Sequence, residues 1–198
     1  EIDAIDNGLP ISSEGPPKYH INTHVSARVH KINPEWNMKN VESSDKLFQR
    51  AMELVGGEFV EKVLEARTVW WPAREIVLEA LKNRNTIYST GEIIELGDRC
   101  PWKEHLFSLE QELDIEGLTK FVLFYDRDGA CRVQAVPIAP GSFICRNFLH
   151  KDWRGVRDTE LCKVSGIDGA TFCHHTGFIG GHKTKEGARE MAIKSLKS

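Results

Sequence analysis

Near the end of this 198-residue chain, Thr176-Gly177-Phe178-Ile179-Gly180-Gly181-His182-Lys183-Thr184-Lys185-Glu186-Gly187 combines glycines, a histidine and lysines in a pattern suited to holding an anion. Glycines allow close backbone approach and positive φ, and a helix that follows them offers unpaired N–H groups and the positive end of its dipole. A phosphate or a carboxylate is the natural guest. The spacing of Ala188, Met191, Ala192 and Leu196 predicts an amphipathic helix with Thr184 as its N-cap. A β-prone run over residues 170–174 precedes the turn, so the local order reads strand, glycine loop, helix. An ordinary strand-to-helix turn would show the same pattern.

Arginines supply a second group. Ser142 and Arg146, then Trp153, Arg154, Arg157 and Lys183, lie within the same C-terminal stretch, and guanidinium groups grip phosphates through paired hydrogen bonds. A third group is acidic: Asp3 and Asp6, in Ile2-Asp3-Ala4-Ile5-Asp6-Asn7-Gly8, read as the end of a strand entering a turn, where carboxylates can ligate a divalent cation. An aspartate-asparagine-glycine turn with no function looks the same. His174 and His175 are adjacent on the predicted strand and should point to opposite faces. With His182 they lack the helical i, i+4 spacing or paired cysteines of a zinc site. Nucleophile-elbow, P-loop and dinucleotide fingerprints are absent from the sequence.

The formal net charge of -3 argues against nucleic-acid binding through bulk electrostatics. Charge is uneven, however: residues 141–198 carry +4 and residues 1–140 carry -7, so a polyanion site belongs in the C-terminal part. The five cysteines are scattered without a CxxC pair, which suits a reducing intracellular compartment better than a disulfide framework. No run approaches the roughly 18 apolar residues of a membrane span.

These groups must be positioned by a mixed set of elements. Residues 19–29 have the β-branched content of a strand or extended connection. Phe48, Met52, Val55, Phe59 and Val63 mark one face of a helix from Ser44 to about Arg67, with a kink expected at Gly56-Gly57. A second helix starts at Trp71-Pro72, and Trp70 and Trp71 read as a packing seam or as stacking surfaces for bases. A strand over 92–96, a helix over 102–113 and a hairpin with arms 119–125 and 131–137 follow, closed by Asp126-Arg127-Asp128-Gly129. The fold class is α+β: a helical connector over residues 1–85, then a small mixed or antiparallel sheet with flanking helices over 86–198.

Five segments together resemble one family. They are Ile2-Asp3-Ala4-Ile5-Asp6-Asn7-Gly8; Ser26-Ala27-Arg28-Val29 with Asn33-Pro34-Glu35-Trp36-Asn37; Cys100-Pro101-Trp102-Lys103-Glu104-His105-Leu106; Trp153-Arg154-Gly155-Val156-Arg157-Asp158; and Gly177 through Ala188. The chain resembles the C-terminal half of the Myg (melanocyte proliferating gene) family of the DHH phosphoesterase superfamily. The resemblance implies a metal-dependent 3'-5' RNA exonuclease of nucleus and mitochondrion. In it, an N-terminal domain holds Mn or Mg, its end and a helical connector falling on residues 1–85, and a DHH-associated domain, falling on 86–198, grips the substrate with a GGGH-like loop. Gly180-Gly181-His182 matches that loop, with Ile179 in place of its first glycine, and Ser142 to Arg146 resembles the strand beside it. Asp6, and Asp3 after it, match the last metal motif of the N-terminal domain. The Asp-His-His motif itself is not in this chain, so the implied partner is a missing N-terminal domain, and the fragment alone is expected to be inactive.

The expected function is therefore the substrate-binding part of an RNA exonuclease, with Arg146, Arg154, Arg157, Ser142, Lys183 and the Gly180-Gly181-His182 loop holding RNA or a short oligonucleotide. The alternatives are a non-catalytic RNA- or nucleotide-binding module and a homo-oligomer built on Trp70, Trp71 and Trp102.

Overall fold

A computed structural model describes residues 2–6, 9, 11, 12 and 15–198, and of Asp3 only the backbone. The chain divides into two compact units, Glu1–Ala66 and Arg67–Ser198.

The first unit is helical. Ile2–Asp6 forms the short helix α1, so the residues read as a strand end are helical, while Asn7 and Gly8 lie outside the described residues. Val25–His30 forms α2, where a strand or extended connection was expected. The His24 side chain decides it: its Nδ1 accepts from the Ala27 amide at 3.0 Å, a cap that a β-propensity reading does not register. Ser44–Glu65 forms α3 without interruption at Gly56-Gly57, and the π-helical turn Ala66–Trp70 follows. The two glycines, costing about 2 kcal/mol of helix propensity, do not break α3, because the other residues of the 22-residue helix offset that cost. Arg28 on α2 pairs with Glu58 on α3, its Nη2 2.6 Å from Oε2. The apolar stripe of α3 stands open, with Phe48 65% and Phe59 68% exposed.

The second unit is built on a five-stranded mixed sheet of order β1-β2-β3-β5-β4. Its strands are β1 Ile93–Glu95, β2 Phe121–Tyr125, β3 Cys131–Ala135, β4 Ala170–Cys173 and β5 Ile179–His182. β1 and β2 are parallel; the remaining pairs are antiparallel. Helices are α4 Trp71–Lys82, α5 Arg84–Ile87, α6 Lys103–Glu112, α7 Asp158–Ser165 and α8 Lys185–Leu196. The β2–β3 hairpin closes through Asp126, whose Oδ1 accepts from the amides of Asp128 and Ala130 at 2.9 Å.

Alternation along the strands separates two cores. Ile93, Phe121, Leu123, Cys131, Val133 and Ala135 face Met191 and Ala192 of α8 with Leu161 of α7. Ile94, Val122 and Val136 face Val77 and Leu81 of α4 with Leu106 and Leu109 of α6. Each fully buried Leu or Phe contributes about 1.5–3 kcal/mol. The second core covers β1 and β2, whereas on β3, β5 and β4 the same face carries Arg132, Gln134, Ile179, Gly181 and Phe172. That half of the sheet bears no helix of this unit.

Candidate functional site

The segment read as a glycine loop is a strand. β5 lies between β3 and β4, so its backbone donors face ladders on both sides. Its glycines answer to packing. A Cβ on Gly180 would come within 2.9 Å of Leu149 Cδ1 and 3.0 Å of Met191 Cε, and one on Gly181 within 2.6 Å of both Phe172 and the Thr171 hydroxyl. The turn that does use a left-handed backbone is one step earlier, at Gly177 with φ +80°.

His182 is 3% exposed and both ring nitrogens are engaged. Nδ1 accepts from the Thr184 amide at 2.9 Å, which makes Nε2 the protonated nitrogen, and Nε2 donates to the Asp168 carbonyl at 2.9 Å. The ring fills the space beside Gly187 in the first turn of α8, where a Cβ would overlap the imidazole. Thr184 is the N-cap as expected, its Oγ1 accepting from Gly187 N at 3.2 Å. His182 thus ties β5 to the helix start, while the neighbouring Lys183 is exposed.

The other expected anion-binding residues are distributed rather than gathered. Arg146 is paired with Glu110, and its Nη1 also donates to the Thr119 carbonyl at 2.9 Å. Ser142 Oγ accepts from Ile144 N at 3.1 Å within its own turn. Arg154 extends along the β4–β5 hairpin, its Nε donating to the Leu149 carbonyl at 3.2 Å and lying 2.7 Å from where a Gly177 Cβ would be. Arg157 lies 5.9 Å over the Phe172 ring. Arg146 and Arg154 line one recess of about 520 Å³ together with His150 and Lys151. His174 and His175 do not oppose one another across a strand. β4 ends at Cys173, and beyond it their ring centroids are 4.1 Å apart.

A larger cleft of about 720 Å³ opens between residues 99–104, the β2–β3 hairpin tip and the uncovered half of the sheet. Trp102, Phe124, Gln134 and Ile179 line it, and Arg99, Lys103, Arg127 and Arg132 supply four cations against Glu104, Asp126 and Asp128. Arg132 is bound to Asp126 and stacks 5.1 Å over Phe172. Partial desolvation works to raise the Asp126 carboxyl, but the Ala130 amide, the Arg132 guanidinium and the Asp128 amide outweigh it and hold it below the usual carboxylate range. Trp70 donates its indole N–H to Glu104 Oε2 at 2.8 Å and packs 4.2 Å from His105, so it joins α4 to α6; Trp71 is 61% exposed. Arg99, Lys103 and Arg127 are exposed and make no ion pair among the described residues.

The sequence places Lys103 in a helix over 102–113 and Arg127 in the hairpin turn, and neither assignment brings them to a common site with Arg99. The usable signal was the alternation Cys131-Arg132-Val133-Gln134-Ala135, which puts two polar side chains on one face of an interior strand.

Among the described residues no three His, Cys, Asp or Glu side chains are grouped to hold a metal. Asp6 is exposed on α1. The donor set in view does not make up a metal centre.

The sequence model of MYG1_exonuc, described as "Uncharacterised protein family (UPF0160)", matches residues 1–196. The chain belongs to this family. It is 48% identical over 197 residues to the MYG1 exonuclease of Mus musculus, covering 99% of this chain and 52% of that protein. It is 48% identical over 198 residues to the MYG1 protein of Dictyostelium discoideum, covering 99% and 60%, and 46% identical over 197 residues to the MYG1 exonuclease of Homo sapiens, covering 99% and 52%. The chain therefore spans a little over half the length of these relatives. No solved structure matches it.

Proposed function

We propose that this chain is the substrate-holding, C-terminal portion of a metal-dependent nuclease of the DHH phosphoesterase superfamily that removes nucleotides from the 3' ends of RNA in nucleus and mitochondrion. The observation that carries the reading is identity of 46–48% along 99% of the chain to proteins named exonuclease. Exposed cations on the sheet unit support it, because phosphodiester recognition needs positive charge near the scissile end.

In this reading Arg154, Arg157 and Lys183 contact the substrate, while Arg146, Ser142 and the Gly180-Gly181-His182 strand hold the elements that present them. Mn or Mg is held by the remainder of the protein, to which Asp6 and Asp3 lend carboxylates. A metal held there would supply a nucleophilic water; this chain's own part is to bind and orient the strand. Orientation by bound substrate accounts for a substantial part of such catalysis.

The test is hydrolysis of a short end-labelled RNA with Mn²⁺, comparing the 198-residue chain with a form of the length its relatives have. Cleavage from the 3' end by the longer form alone, with Arg154→Gln raising KM, is the expected result. Cleavage by the short chain would move the catalytic centre into it. Inactivity of both would leave a non-catalytic RNA- or nucleotide-binding module.

A further inference from the structure

Resting on the nucleic-acid reading above, we propose that the cleft between residues 99–104 and the uncovered half of the sheet binds single-stranded nucleic acid, with Arg99, Lys103 and Arg127 taking successive phosphates. Three observations converge on it. Its volume of about 720 Å³ falls in the range of small-ligand sites, about 300–1,000 Å³, which accommodates a nucleotide. Its three rim cations are exposed and make no ion pair among the described residues, so they are available to phosphate without breaking one. Its floor is part apolar, with half-buried Phe124 and Ile179, and carries the Gln134 side-chain amide, which has no hydrogen-bond partner among the described residues.

The arrangement of charge favours a strand over a compact anion. Lys103 opens α6, Arg99 lies four residues before it in the preceding loop, and Arg127 sits at the hairpin tip, so the cations stand on two walls of the cleft. Arg132, by contrast, is spent on Asp126 and Phe172 and shapes the floor. A backbone crossing the rim meets the cations while its bases turn toward Phe124 and Gln134, the division of labour seen in strand-binding grooves.

The experiment is fluorescence anisotropy of a labelled oligouridylate with the 198-residue chain across a salt series. The variants are Arg99→Gln/Lys103→Gln/Arg127→Gln in the cleft and Lys151→Gln/Arg154→Gln at the separate recess. Circular dichroism and the melting temperature of the cleft variant should match the parent, because all three side chains are exposed and none has an ion pair among the described residues. The proposal expects at least a tenfold rise in Kd for the cleft variant and a salt slope shallower by about 2, since each lost phosphate contact on a single strand removes about 0.7. Unchanged Kd and slope in the cleft variant, with weakening only at the recess, would overturn the cleft and leave the nucleic-acid reading standing. No binding by the parent would overturn the cleft as well, and the hydrolysis assay on the longer form then decides the nuclease reading separately.

Discussion

Arg146 and Glu110 meet as a bidentate ion pair, Nη1 to Oε1 at 2.8 Å and Nη2 to Oε2 at 2.7 Å, with side chains only 8% and 1% exposed. The Glu110 carboxylate also accepts from the amides of Thr119 and Gly117, and the guanidinium lies 4.8 Å over Phe107. Helix α6, the loop before β2 and the segment after β3 are joined at this one point. Removing one partner strands a buried charge: Glu110→Ala or Arg146→Ala should destabilise the chain by about 3–5 kcal/mol. Glu110→Ala/Arg146→Ala should cost less than the sum of these two single changes. Urea denaturation of the four proteins checks the cycle, and additive losses would show that the pair is not coupled.

A second relationship joins His182 to Gly187. Alanine in the first turn of a helix normally gains up to about 1 kcal/mol over glycine. At Gly187 the new methyl would occupy the imidazole's place, so Gly187→Ala should instead cost about 1–3 kcal/mol. In a His182→Ala background the same change should turn neutral or stabilising. Thermal melts of the two single variants and the double variant measure this reversal.

Gly56 and Gly57 have open space around their would-be Cβ atoms and sit inside α3. Gly56→Ala/Gly57→Ala should therefore stabilise the first unit's helix by about 1–2 kcal/mol. A rise in helical ellipticity and in the temperature of its transition would be the signature. A loss would mean that these glycines serve a conformational change.

Burial pushes the thiols of Cys131 and Cys173 up to about 11 from an ordinary 9.0. The neutral thiol is thus favoured in the folded chain, and its stability contribution is complete below about pH 9 and fades as pH rises through about 11. At pH 8 Cys131 and Cys173 should resist a thiol reagent in the native protein and react on unfolding, when five thiols should titrate. Rapid native labelling of either would contradict its placement in the core.

Much of the sheet unit was legible in the sequence because local chemistry and tertiary demand agree there. The hairpin announced itself through Asp126-Arg127-Asp128-Gly129, α4 through Trp71-Pro72, and α8 through Thr184 and its apolar spacing. Agreement failed where a single side chain overrode propensity. The His24 cap made α2 out of a β-prone run.

The candidate site divides along the same line. Residue types alone single out arginines, lysines and a glycine-histidine segment as candidates for anion chemistry, since few side chains and backbones offer such donors. What those donors do depends on partners far away in sequence. Glycine reads equally as ligand access or as close packing, and only the proximity of Leu149 and Met191 to Gly180, and of Phe172 to Gly181, decides for packing. Arginine reads equally as a phosphate ligand or a buried counter-ion, and Glu110, 36 residues from Arg146, decides for the counter-ion. Arg99, Lys103 and Arg127 share a cleft because α4 and α6 stop short of β3, and that limit is set by how two layers pack on a sheet.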